Sequence, residues 1–273
     1  MRQPEPAETL TVTRDLPFHE TDRGTLRLDV VEPTDVTGPL PVVVLVRGGG
    51  FHVGDKGEFA RQAMDFAAEG YVAIEPQYRL APDAQFPAPV VDVKAAIEWV
   101  RSEGERFGAD PSSVSLVGHS AGANLVAMAG VTQNDPAFEP EAYPGASSAV
   151  DAVVGYAGIY DFLAAARQRE DDPDPDERVD VGYLGAAATD DPERAELASP
   201  TSHVDTDAPP TLLVHGTDDE VVPAPQSELF HELLEPVTDA ELELREEDHA
   251  FPFHGHCYDS VFERSRDFLG KHA

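Results

Sequence analysis

Val114-Ser115-Leu116-Val117-Gly118-His119-Ser120-Ala121-Gly122-Ala123-Asn124-Leu125 is the stretch that decides the fold. An apolar run ends at Val117, a G-x-S-x-G turn follows, and an Ala- and Gly-rich segment begins at once and reaches Gly130. The run predicts a short buried strand, and the small-residue segment a helix packed close to a sheet. A serine on so sharp a strand-to-helix turn is forced outward in a strained conformation, and glycine on either side permits close approach. The helix start behind it aims backbone N–H groups at negative charge developing there. A strand before and a helix after weigh against a bland glycine-rich packing turn.

The flanking sequence supplies the rest of a sheet. Leu26, Leu28 and Val30 alternate as in a half-buried strand, with Thr9 to Phe18 as its partner. Pro41 to Val46 is a continuous β-branched run, the pattern of a strand covered on both faces. Glu58 to Glu69 predicts a helix with Phe59, Ala63 and Phe66 inward, stopped by Gly70, and Tyr71 to Glu75 a strand. Val91 to Phe107 is a second helix by the spacing of Val93, Ile97 and Val100. Ala152 to Tyr156, Thr211 to His215 and Glu241 to Arg245 read as strands; Pro225 to Leu234 and Asp259 to Leu269 read as helices. The expectation is one α/β domain over residues 1–273, with about eight mostly parallel strands flanked by helices. Residues 161–205 stand outside this alternation, with the run Asp171-Asp172-Pro173-Asp174-Pro175-Asp176-Glu177 inside them. They are either a solvated loop or a short lid, to which Tyr183, Leu184 and Leu197 bring modest apolar surface.

Composition bounds the partners. Asp and Glu total 52 against 19 Lys and Arg, a formal charge of −33, and Lys56, Lys94 and Lys271 are the only lysines. Such a surface repels nucleic acid and anionic membranes, so neither is an expected partner. The acids are spread along the chain rather than gathered in a tail, and with lysine scarce this reads as adaptation to high salt, where screening suppresses self-repulsion. The single Cys257 excludes an internal disulfide, and the first residues carry no apolar leader. A cytoplasmic location is the expectation, and a homodimer is left open.

Two further glycine-marked turns follow strands. Arg47-Gly48-Gly49-Gly50-Phe51 can turn backbone N–H groups toward one point, as an oxyanion hole requires. Its strand and that of the serine turn should be parallel neighbours, and ligands of open α/β sheets bind beyond the carboxyl ends of such strands. His215-Gly216-Thr217-Asp218-Asp219-Glu220-Val221-Val222-Pro223 offers Asp218 or Asp219 as an acid to orient a histidine. His249 lies just past the final strand, with His254 and His256 as competitors. Serine, acid and histidine then follow one another, each after its own strand.

With these motifs the chain resembles the esterase and lipase branch of the α/β-hydrolase superfamily, both feruloyl- and acetyl-esterase-like and hormone-sensitive-lipase-like members. The resemblance spans roughly residues 20–270 and rests on RGGGF at 47–51, YRLAP at 78–82 before a helix with Asp92 and Trp99, GHSAG at 118–122, SP at 199–200, HGTDDEVVP at 215–223 and HAF at 249–251. It implies a catalytic triad of Ser120, Asp219 and His249, and oxyanion donors on Gly49, Gly50 and Ala121. The family's acid stands three residues past the glycine, which selects Asp219 over Asp218. One departure is Arg47, where the family usually has a histidine that braces the loop; an arginine would do so through a nearby carboxylate. The N-terminus runs directly into strands, as in the simpler feruloyl- and acetyl-esterase-like members, which points to small or short-acyl esters. Phe51, His119 and Tyr160 are candidate pocket walls. No metal or cofactor is implied. The same machinery could serve an amidase, an arylformamidase or a peptidase, and a non-catalytic binding protein on the same fold is the remaining alternative.

Overall fold

The computed structural model describes residues 7–36, 38–133, 135–168 and 179–272. Its strands are β1 (Leu10–Thr21), β2 (Gly24–Pro33), β3 (Leu40–Val46), β4 (Val72–Pro76), β5 (Ala109–His119), β6 (Ala152–Tyr156), β7 (Thr211–Gly216) and β8 (Ala240–Arg245). They form one eight-stranded sheet in the order β1-β2-β4-β3-β5-β6-β7-β8. The β1–β2 hairpin adds antiparallel to β4 at one edge, and every pairing from β4 to β8 is parallel.

Alternation along the central strands builds two apolar layers. Val42, Val44 and Val46 face one side with Leu116, where Val93, Ile97 and Trp99 of α2 (Ala88–Glu103) and Leu125 of α3 (Ala121–Val131) cover them. Val43, Leu45 and Val117 face the other, under Ala63 and Phe66 of α1 (Ala60–Ala68) and residues such as Val261, Phe268 and Leu269 near the C-terminus. Burial on both faces is why these strands read as unbroken apolar runs. The chain steps from β3 to β4 on one side, then crosses back to β5 on the other. That reversal falls at the carboxyl ends of β3 and β5, where the Gly48 and Ser120 turns emerge and where ligands of open α/β sheets bind.

Several element boundaries differ from the sequence expectation. Strand β5 runs from Ala109 to His119, starting well before the expected Val114, and β1 continues to Thr21. Helix α1 starts at Ala60, leaving Glu58 and Phe59 in the preceding turn. Helix α2 starts at Ala88 and passes into a 3₁₀ turn at Gly104–Phe107. The segment 161–205 is more ordered than its polarity suggests. It carries three short helices, α4 (Phe162–Gln168), α5 (Val179–Leu184) and α6 (Pro192–Leu197). Phe162, Tyr183 and Leu184 are buried in the main core, whereas Leu197 stays exposed. The acidic run Asp171 to Glu177 and the first six residues lie outside the described residues. Helices α7 (Pro225–Leu234) and α8 (Tyr258–His272) complete the fold. Among the described residues, no helix is long and apolar enough to cross a membrane.

Candidate active site

The turn after β5 is built around backbone that almost touches backbone. A Cβ on Gly122 would lie 2.1 Å from the Val46 carbonyl oxygen and 2.3 Å from that of Arg47, so the first turn of α3 rests directly on the end of β3. No side chain fits there. Ser120 takes φ 55° and ψ −119°, an uncommon region for a non-glycine residue. Its N–H donates to the Tyr156 carbonyl at 2.8 Å and its own carbonyl accepts from Asn124 N at 3.2 Å, which hold the strained turn in place. Ala121, the first residue of α3, points its N–H out of the helix start.

Loops after β7 and β8 bring two more side chains to this turn. His249 Nε2 lies 2.9 Å from Ser120 Oγ, and His249 Nδ1 lies 2.7 Å from Asp219 Oδ2. The second carboxylate oxygen of Asp219 accepts the N–H groups of Val221 and Val222, each at 2.8 Å. Burial raises the pKa of Asp219, but hydrogen bonds from His215, His249 and the Val222 N–H outweigh it and hold the carboxyl well below the usual range. Asp218 is exposed and its N–H is used on the Glu247 carbonyl. His254 and His256 sit beside Asp248 and Glu247 rather than Asp219. The structure therefore draws Ser120, His249 and Asp219 into one hydrogen-bonded line and leaves their competitors outside it.

The turn after β3 supplies the opposite wall. Gly49 has φ +100°, and a Cβ there would lie 2.1 Å from the Val53 carbonyl oxygen, so only glycine closes this loop. Gly50 follows at φ 58°. Arg47 is buried and spans the loop from inside. Its Nη1 donates to the carbonyls of Gly48 at 2.8 Å and Val53 at 2.6 Å and to the Tyr78 hydroxyl at 3.2 Å, with the guanidinium 4.3 Å from the Tyr78 ring centre. The arginine does brace the loop, but through carbonyls and a phenol rather than the expected carboxylate. A flat fork of N–H donors suits several converging carbonyl oxygens.

The three candidate pocket walls are placed differently. Phe51 is buried, stacked on Tyr183 at 3.8 Å between ring centres and tilted against Phe162 at 6.2 Å. Tyr160 is fully buried and stacks on Phe230 at 4.7 Å, in a separate cluster. His119 turns toward Glu58 and the His249 main chain. Packing thus accounts for Phe51 and Tyr160, because both rings are covered by neighbouring aromatics. Two polar residues near the site had no role in the sequence reading. His215 is fully buried, with Nε2 3.2 Å from Asp219 Oδ2 and Nδ1 2.6 Å from Ser227 Oγ. Glu58 accepts the Gly48 N–H at 3.1 Å. The first is a member of the H-G-x-x-D motif and was legible as a partner for the acid; the second carries no local signal. Glu247, His256 and Cys257 group three ligand-type atoms within 4.8 Å of one another. There the His256 ring already pairs with Glu247, and the Cys257 thiol donates to the Phe251 carbonyl at 2.8 Å.

An eight-stranded, mostly parallel sheet with a serine on the β5–α3 turn, an acid after β7 and a histidine after β8 defines an α/β-hydrolase. Within that class the chain belongs to the BD-FAE family, which matches residues 28–234. It is similar to Esterase LipC of Mycobacterium tuberculosis, 35% identical over 85% of this chain and 57% of the relative. Esterase LipQ of the same organism is 34% identical over 94% of this chain and 62% of its own length. The chain thus spans little more than half of these relatives. Among solved structures, a thermophilic esterase from Thermogutta terrifontis with butyrate bound superposes with a TM-score of 0.78 at 27% identity, covering 95% of this chain and 94% of that one.

Proposed function

We propose that this chain is a serine carboxylesterase for small or short-acyl esters, folded as one domain over residues 1–273. The continuous line from Ser120 Oγ through His249 to Asp219 carries the reading. His249 takes the proton of Ser120 as the hydroxyl attacks the ester carbonyl, and Asp219 fixes the imidazole tautomer and stabilises its cation. The N–H groups of Gly49, Gly50 and Ala121 receive the oxyanion, each worth on the order of 3 kcal/mol in the transition state. The imidazolium then protonates the leaving alcohol. Water, activated by the same histidine, releases the acid from the acyl-enzyme and restores Ser120.

Short acyl groups are favoured by two observations. Phe51, Phe162 and Tyr183 fill the space behind the glycine loop with packed rings. The Thermogutta terrifontis esterase, similar along nearly its whole length, holds butyrate. The charge of −33 and the lone, buried Cys257 fit work in a saline cytoplasm.

The test is hydrolysis of p-nitrophenyl acetate, butyrate and octanoate by wild type and Ser120→Ala, in dilute and molar salt. The expected result is turnover that falls with acyl length, strengthens with salt and drops by about 10⁴-fold or more in the variant. Turnover that survives in a folded Ser120→Ala protein would discard the triad. Preference for matched anilides over esters would move the reading to an amidase.

A further inference from the structure

His119 stands between Gly118 and Ser120, yet its ring reaches two other loops. Nδ1 is 3.2 Å from Glu58 Oε1, and Nε2 is 3.0 Å from the carbonyl oxygen of His249. The same Glu58 oxygen accepts the Gly48 N–H at 3.1 Å. One carboxylate and one imidazole therefore join the loops that follow β3, β5 and β8. Both are largely covered, with side chains 32% and 9% exposed.

Three features make this contact more than packing. First, both ring nitrogens of His119 face acceptors, a carboxylate and a carbonyl. Each nitrogen is thereby tied to a different loop, so turning the ring would break a contact. Second, burial pushes the Glu58 carboxyl up, but the bonds from His119 and the Gly48 N–H, with the nearby Arg47, outweigh it and keep it below the usual carboxylate range. Third, there is no slack: a Cβ on Gly48 would meet His119 Nδ1 at 3.0 Å, while the His249 ring centre lies 4.9 Å and the Phe253 ring centre 5.0 Å from that of His119.

The sheet links the glycine loop and the histidine loop only at long range. β5, β6 and β7 lie between β3 and β8, so no ladder of hydrogen bonds joins the two directly. Acyl transfer nevertheless needs both at once, because the oxyanion and the imidazolium of His249 develop on the same tetrahedral centre. We propose that Glu58 and His119 are a pair of positioning residues that hold the Gly48–Gly50 loop and the His249 loop at the separation this intermediate requires. The proposal rests on the serine-esterase reading above.

Kinetics on p-nitrophenyl butyrate with wild type, Glu58→Ala, Glu58→Gln, His119→Ala and the Glu58→Ala/His119→Ala double variant test it. Each alanine variant should lose about 10- to 100-fold in kcat with little change in KM, the scale of a small misplacement of catalytic groups. The double variant should be no worse than the poorer single one, because the two side chains act as a unit. Glu58→Gln, of the same shape and still an acceptor for the Gly48 N–H, should recover part of the loss. Affinity for an alkylboronic acid, which forms a tetrahedral adduct on Ser120, should fall in parallel with kcat/KM. Folded variants with wild-type kcat, or losses that multiply in the double variant, would overturn the pairing while leaving the esterase standing. Wild-type protein without Ser120-dependent turnover would overturn both.

Discussion

The serine turn and the 161–205 insertion are opposite ways of making structure from one chain. In the turn, residues Val117 to Gly122 are held by their own covalent character: a strained Ser120, and a glycine whose missing Cβ lets α3 rest on the Val46 carbonyl. In the insertion, short helices are joined to the body by large side chains, Phe162 and Tyr183 against Phe51, and by hydrogen bonds such as those from the Phe86 N–H to the Tyr183 carbonyl and from Arg194 to the Phe86 carbonyl. Helices of six or seven residues have little stability of their own, so tertiary packing rather than propensity keeps them formed. A turn fixed by backbone contact has one solution, whereas the insertion depends on contacts drawn from distant parts of the chain.

Breaking the turn should have the larger consequence. Gly122→Ala drives a methyl group into two carbonyl oxygens, and the expected outcome is loss of more than about 4 kcal/mol or failure to fold, read by chemical denaturation. A variant of normal stability would mean that α3 can shift off β3. Tyr183→Ala should remove about 3 kcal/mol of packing at the insertion. Hydrogen exchange should then accelerate in the described parts of 161–205 and around Phe51, and remain slow in β5 and α3. Faster exchange throughout the sheet would erase the contrast between the two regions.

The smallest expected effect concerns the stretch between the Gly48 loop and α1. Glu75 is buried and accepts the Phe59 N–H at 2.7 Å and the Gly57 N–H at 3.2 Å. Burial pushes its carboxyl from 4.5 up to about 7, against those two hydrogen bonds and with Asp29 and Glu58 adding to the rise. The folded protein therefore keeps a proton that the unfolded chain releases. The resulting stabilisation is complete below pH 4.5 and is lost as pH rises through 7. Glu75→Gln should gain progressively on wild type as pH rises across that window, in paired denaturation curves. Equal pH dependence in the two proteins would show that Glu75 is ionised throughout.

Much of this was legible before any coordinates. The parallel strands announced themselves as continuous apolar runs because both faces are covered, and Ser120 was marked by glycines that strand-to-helix contact demands. Asp219 needed the family resemblance, since Asp218 is chemically equivalent in sequence; the fold separates them by burying one against His249 and exposing the other. Arg47 was read as a brace but with the wrong partner, because the carbonyls it meets belong to a loop conformation that no residue pattern encodes.

Sequence by itself thus determined what depends on neighbours along the chain: strand and helix order, the strained serine turn, the glycine loop and the order of serine, acid and histidine. Only the tertiary structure decided what depends on residues far apart. Glu58 and His119 are 61 positions apart, and His119 and His249 are 130 apart. Their meeting follows from the strand order, which places β3 and β5 side by side and returns the β8 loop above them. Local propensity has no term for such contacts, whose energy exists only once the sheet has brought the loops together.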